Sequence, residues 1–97
     1  MPAMNKTPLS RRGYYTYILE CADGTYYCGW TTDPARRLAE HNNGTGSRYT
    51  RSRRPVRLVY LKSLLSRNEA MRMEAMIKKM PRRKKAELIR SVPDPDL

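Results

Sequence analysis

Residues 13–30 read GYYTYILECADGTYYCGW. β-branched and aromatic residues run from Tyr14 to Cys21 and again from Thr25 to Thr31, and Ala-Asp-Gly stands between them, the pattern of a β-hairpin. Two registers are open. A two-residue turn at Asp23-Gly24 pairs Cys21 with Tyr26, whereas a three-residue Ala22-Asp23-Gly24 loop, with Gly24 left-handed in a bulge, pairs Cys21 with Thr25. The choice decides which tyrosines share a face. Five of the chain's seven tyrosines lie in this stretch and the chain has no phenylalanine, so either the hairpin packs with Tyr in place of Phe or some of the phenols do chemistry.

On the amino-terminal side, residues 1–12 are polar, contain two prolines and end in Arg11–Arg12, so a flexible basic arm is expected there. On the carboxy-terminal side, Asp33-Pro34 signals a helix start and Asn43-Gly44 a stop, with Ala35, Leu38 and Ala39 as the apolar stripe between them. Residues 44–54, GTGSRYTRSRR, read as a Gly-, Ser- and Arg-rich loop. Pro55 opens VRLVYLKS, whose apolar residues are too frequent for strict alternation, so a well-covered third strand is expected. Ser66-Arg-Asn-Glu69 is a capping box for a helix to about Met80, with Ala70, Met73, Ile77 and Met80 as its stripe. Pro81 breaks that helix and is placed to begin another, in which Ala86, Leu88 and Ile89 form a short apolar face. The order strand, strand, helix, strand, helix, helix predicts an α+β domain over 13–91: a small three-stranded, mostly antiparallel sheet flanked by helices, followed by a disordered tail over 92–97.

Ninety-seven residues suffice for one modest core and no second domain. Twenty Lys and Arg against nine Asp and Glu leave a net charge of +11, which favours a polyanionic partner: nucleic acid first, anionic membrane second. No apolar run approaches the ~18 residues needed to span a bilayer, and MPAMNKTPLSRR lacks the apolar core of a signal peptide, so a cytoplasmic protein is expected. Cys21 and Cys28 lack a second Cys pair or a His cluster at zinc spacing, and read as two small buried thiols.

Two further features stand out from this structural reading. Glu74 falls within the apolar stripe of the late helix, four residues after Ala70 and three before Ile77. Taken alone it is a salt-bridged acid at the core edge. Arg37 and His41, the only histidine, are spaced i, i+4 on one helix face. Taken alone they mark a solvated face, like the neighbouring pair Arg36 and Glu40.

Taken together, Tyr17 on the first strand, Tyr27-Cys28-Gly29 on the second, Arg37, His41 and Glu74 resemble the GIY-YIG nuclease superfamily, over about Tyr14 to Ile89. The likeness is closest to its small stand-alone bacterial proteins, through the CADG turn, the TTDPARRLAEHN helix and the RYTRSRRPVRLVY segment. Tyr15-Thr16-Tyr17 stands where the family name implies Gly-Ile-Tyr, and Tyr27-Cys28-Gly29 where it implies Tyr-Ile-Gly. A shared site for Tyr17 and Tyr27 requires one face, hence the three-residue loop, with Tyr17 opposite Gly29 and open space left beside both phenols.

The resemblance implies a metal-dependent endonuclease acting on nucleic acid, DNA ahead of RNA, in repair or recombination. Tyr27 is then the general base, its phenolate favoured by nearby positive charge, and Tyr17 a hydrogen-bonding partner of water or phosphate. Arg37 is the phosphate clamp and His41 supports the site. Glu74 is the ligand of one Mg²⁺ or Mn²⁺ ion, held only when substrate is bound. Arg48, Tyr49, Arg51, Arg53 and Arg54 in the loop, with Lys78, Lys79, Arg82 and Lys84 as a second patch, are expected to meet the nucleic-acid backbone, Tyr49 by stacking on an unpaired base. The alternatives are a catalytically weak nucleic-acid-binding module of the same fold and, more distantly, an RNA-associated structural protein. None of the cationic side chains is placed for base readout. Anisotropy titrations with duplex and single-stranded oligonucleotides should therefore show little sequence preference and a steep fall of affinity with salt; affinity unchanged between low and moderate salt would sink the polyanion reading.

Overall fold

In a computed structural model, residues 13–93 and 95 are described. The arm expected over 1–12, and residues 94, 96 and 97 of the expected tail, lie outside them. The elements in chain order are β1 (Tyr14–Glu20), β2 (Tyr26–Thr31), α1 (Pro34–Asn42), α2 (Arg48–Arg51), β3 (Arg57–Leu64), α3 (Arg67–Lys78) and α4 (Arg82–Arg90). The three strands form one antiparallel sheet in the order β2-β1-β3, so the α+β expectation is met.

The hairpin adopts the three-residue loop. The Cys21 N–H donates to the Thr25 carbonyl at 2.8 Å, the Gly24 N–H to the Cys21 carbonyl at 2.9 Å, and Gly24 has φ +86°. Asp23 closes the turn by accepting from the Thr25 backbone N–H and hydroxyl. Being central, β1 buries both faces. Tyr17, Leu19 and Cys21 join Val56 in one cluster beside Leu38 of α1, while Ile18 joins Cys28, Tyr60 and Ile77 in another, beneath α3 and α4. The two free cysteines therefore sit on opposite faces, and burial raises the pKa of both thiols, that of Cys28 to about 12. Thr16 is fully buried on the α3 side and satisfies its hydroxyl by donating to the Ala70 carbonyl at 2.8 Å, so a polar residue is tolerated there.

Three expectations need correction. The covered strand is β1 rather than β3, whose Lys62 and Ser63 are exposed. The run of apolar residues in β3 comes from a bulge: Ile18 faces Tyr60 and Leu19 faces Leu58, leaving Val59 as an extra residue that breaks the alternation. Ala35 and Ala39 are exposed; the inward face of α1 is Pro34, Leu38 and His41, with Arg37 half-buried beside them. Small alanines tolerate either side of a helix, whereas Pro34 and His41 cannot turn outward without emptying the core. The segment 44–54 is not all loop, because Ser47 caps α2 by accepting from the Thr50 N–H at 3.1 Å. Its return to the sheet is clamped by Asn42, whose side chain donates to the Val56 carbonyl at 3.0 Å and accepts from the Val56 N–H at 2.7 Å. The remaining helix signals hold: Asp33 caps α1, Ser66 caps α3 by accepting from the Glu69 N–H, and Pro81 precedes α4.

A Cβ built on Gly24 would meet nothing within 4 Å, so substitution there strains only the backbone. Gly24→Ala should lower the unfolding free energy by about 1 kcal/mol and Gly24→Asn by less, read from urea midpoints at constant slope. Equal stability of all three proteins would argue against the left-handed turn.

Candidate active site

Tyr17 faces Gly29 across the β1–β2 ladder and Leu19 faces Tyr27, so the two phenols are diagonal neighbours on one face with ring centroids 6.5 Å apart. Gly29 does not leave open space. A Cβ there would lie 2.6 Å from the Tyr17 hydroxyl oxygen and 2.8 Å from Cζ, so the glycine is the surface on which the Tyr17 ring rests. Tyr17 is consequently only 3% exposed, and burial pushes its pKa up to about 12.

Helix α1 crosses this face and delivers Arg37 and His41. The expectation of a solvated pair is corrected, since His41 is fully buried. Its Nε2 is 3.0 Å from the Tyr17 hydroxyl and its Nδ1 is 2.8 Å from Thr50 Oγ1. Gly46 closes over the imidazole so tightly that a Cβ would come within 2.5 Å of Nδ1. Burial, with Arg37 beside it, pulls the His41 pKa down to about 4, so the imidazole is neutral. The Arg37 guanidinium donates to Glu40 Oε1 at 3.1 Å and to the Gly46 carbonyl at 3.0 Å, and it acts electrostatically on the Tyr17 hydroxyl. Burial works against its charge, but the interactions with Tyr17 and Glu40 outweigh that and its pKa is raised. Glu40 pairs with Arg36 as well, at 3.3 Å, the surface ion pair expected, and so links it to Arg37.

Tyr27 extends the cluster outward. Its ring centroid is 5.1 Å from that of His41 and 5.9 Å from that of Tyr49, on which it stacks. Tyr49 carries the Arg53 guanidinium 3.9 Å from its centroid, so its ring is engaged with two partners where a free stacking platform was expected. Arg53 in turn donates to Asp23 Oδ2 at 3.1 Å and to the Tyr49 carbonyl at 2.8 Å, binding the hairpin turn to α2.

Glu74 stands apart from this cluster. It lies on α3, whose buried residues pack on the other face of the sheet, with its carbonyl 4.0 Å from Cys28 Sγ at the β2 edge. Its side chain is 19% exposed and its Oε2 accepts from Lys78 Nζ at 2.8 Å, a bond that raises the Lys78 pKa. Among the described residues no group of three or more His, Cys, Asp or Glu converges, so Glu74 could hold a cation only as a single carboxylate. Of the other cationic residues, Arg48, Arg51, Lys79 and Lys84 are exposed, and Arg82 lies 4.6 Å over Tyr26. Arg54 donates to the Arg51 carbonyl and, with Asn42, Arg51, Ser52 and Pro55, lines an open cavity of about 500 Å³.

The sequence reading missed Gly46, Ser47 and Thr50 as supports of His41, and the tie from Arg53 to Asp23. The Ser47-x-x-Thr50 spacing of a helix cap was the available signal. The remaining expectation, the shared face of Tyr17 and Tyr27, is met.

Residues 13–87 match the GIY-YIG catalytic domain. A UPF0213 protein of Streptococcus pneumoniae is 49% identical over 83 residues, which cover 86% of this chain and 84% of that protein. A UPF0213 protein of Halobacterium salinarum is 52% identical over 77% of this chain and 97% of its own length. The solution NMR structure of a UPF0213 protein from Bacillus halodurans superposes with a TM-score of 0.53 at 49% identity, covering 80% of this chain and 83% of that one. A protein from E. faecalis gives a TM-score of 0.61 at 40% identity over 87% and 90% of the two chains. The chain thus belongs to the GIY-YIG family, whose members are generally endonucleases, and its relatives are small single-domain proteins. No helix among the described residues is long and apolar enough to cross a membrane.

Because the folded protein keeps His41 neutral down to about pH 4, it declines a proton that the unfolded chain accepts near 6.5. This contribution to stability is complete above pH 6.5 and is lost as pH falls toward 4. NMR of the imidazole should show no titration between pH 7 and 5, and denaturation of His41→Gln should lose less stability than the parent over pH 6.5 to 4. A His41 midpoint near 6.5 would contradict the burial.

Proposed function

We propose that this protein is a metal-dependent endonuclease that hydrolyses nucleic-acid phosphodiester bonds, DNA ahead of RNA, in the repair or recombination chemistry of the cytoplasm. The observation that carries this reading is the gathering of Tyr17, Tyr27, Arg37 and His41 on one sheet face of a chain from a nuclease family. Phosphodiester hydrolysis needs an activated water, a cation on the phosphoryl oxygens and relief of charge on the leaving oxygen.

Tyr27, at the outer end of the aromatic row, is the group that takes the proton from water. Arg37 binds the phosphoryl oxygens, held in place by Glu40, Gly46 and Tyr17. Tyr17 and His41 form the buried floor that orients both. Glu74 fits a hard divalent ion as one partly exposed carboxylate whose remaining ligands come from water and phosphate, with Lys78 as the cation it must share or give up. When bound, Mg²⁺ or Mn²⁺ supplies charge neutralisation at the leaving oxygen. Arg48, Arg51, Arg54, Lys79, Arg82 and Lys84 hold the backbone without reading bases, while Tyr49 and Arg53 brace Tyr27.

The second reading, a catalytically weak binding module, is favoured by one observation: the Arg37 guanidinium and the Glu74 carboxylate are both engaged with protein partners. Cleavage of single-stranded, duplex and branched substrates with Mg²⁺ or Mn²⁺ separates the two. Glu74→Ala should abolish metal-dependent cleavage and spare binding. Tyr27→Phe should cost on the order of 10²-fold or more in turnover. Arg37→Ala should cost on the order of 10²–10³-fold, with affinity little changed. Glu74→Ala cutting as fast as the parent would refute the mechanism, and a parent that cuts nothing across the panel would make the binding module the better reading.

A further inference from the structure

Tyr17, His41, Thr50 and Ser47 form one buried line of polar atoms, and counting hydrogens along it leaves a single arrangement. Tyr17 is almost fully buried, and a tyrosine hydroxyl is protonated at neutral pH, so its one hydrogen needs an acceptor. The hydroxyl lies 3.0 Å from His41 Nε2, and the other polar group acting on it is the Arg37 guanidinium. Arginine has no acceptor, so the Tyr17 O–H donates to Nε2. The neutral imidazole then carries its proton on Nδ1, which donates to Thr50 Oγ1 at 2.8 Å. Thr50 is fully buried too, and its hydroxyl hydrogen is free to go to Ser47, whose Oγ lies at 3.0 Å and whose carbonyl lies at 3.3 Å. The reverse tautomer would aim Nε2–H at the Tyr17 oxygen and leave the phenolic hydrogen without an acceptor among the described residues.

We infer that Thr50 is a positioning residue that fixes His41 as the Nδ1–H tautomer and thereby turns the Tyr17 O–H inward, away from the reacting centre. The Tyr17 oxygen then presents lone pairs only, on the side where the Arg37 guanidinium lies. Tyr17 is an acceptor in the site, not a donor to phosphate, and Ser47 anchors the line through the start of α2. The consequence for turnover rests on the nuclease reading above, but the tautomer does not.

The test is therefore spectroscopic first. In uniformly ¹⁵N-labelled protein at neutral pH, two-bond ¹H–¹⁵N correlation of the His41 ring should show Nδ1 protonated and Nε2 bare. Thr50→Ser, which keeps the hydroxyl, should preserve that pattern, and Thr50→Val, which removes the acceptor, should shift it toward Nε2–H. If the parent cleaves nucleic acid, Thr50→Val should lower kcat on the order of tenfold with KM unchanged, and Thr50→Ser should restore it. A parent carrying the proton on Nε2 overturns the inference, as does a Thr50→Val protein with unaltered tautomer. Should the parent prove inactive, the nuclease reading falls while the spectra still decide the role of Thr50.

Discussion

Strand β1 must bury both of its faces, and most of the molecule is arranged to allow it. It lies between β2 and β3, with α1 on one side and α3 and α4 on the other. Apolar side chains such as Ile18 and Leu19 meet this constraint by packing. The polar ones need partners at fixed places, because an unpaired hydroxyl in the core costs more than a hydrogen bond returns. Thr16 finds a helix carbonyl and Tyr17 finds a histidine. The first bond ties α3 to the sheet, and the second ties down α1. The face that gathers Tyr17, Tyr27 and His41 is thus a by-product of satisfying one strand, and its central tyrosine is set by the same packing that sets the fold.

Much of this was legible in the chain, and the rest was hidden for identifiable reasons. The hairpin, the caps at Asp33 and Ser66 and the strand-helix order are local signals, and they survive because nothing tertiary competes with them. The inward face of α1 was only partly read because its buried members are Pro34 and His41, flanked by Leu38 and the half-buried Arg37, so apolar spacing finds Leu38 but also picks out alanines that point to solvent. Gly29 was known to face Tyr17, yet register alone does not say whether a ring fills the gap beside a glycine. The roles of Thr50 and Gly46 depend on a short helix folding back over α1, a contact that no spacing rule reaches. Glu74 is the reverse case: its place in the stripe was plain, and its ion pair with Lys78 is what an acid at a core edge requires.

The charge of this chain divides into two populations. Arg37, Arg53 and Arg54 each donate to a backbone carbonyl of the 44–54 segment, at Gly46, Tyr49 and Arg51, so part of each fork is already engaged. Arg48, Arg51, Lys79 and Lys84 stand exposed. Arginine suits the first task because its planar fork can bridge several acceptors at once, and the loss of side-chain freedom is small per bond formed. An arginine-rich loop can therefore contribute fewer free cations than its composition suggests.

With β1 in the middle, β2 and β3 are the edge strands among the described residues, and β2 is the strand that carries Tyr27. Unpaired strand edges invite pairing with a second chain. The surplus of positive charge opposes that, since two copies approaching edge to edge repel. A bound polyanion cancels the repulsion and concentrates copies along its length. Any edge-to-edge association of this chain should accordingly depend on how far its positive charge is neutralised, and so on ionic strength as well as concentration.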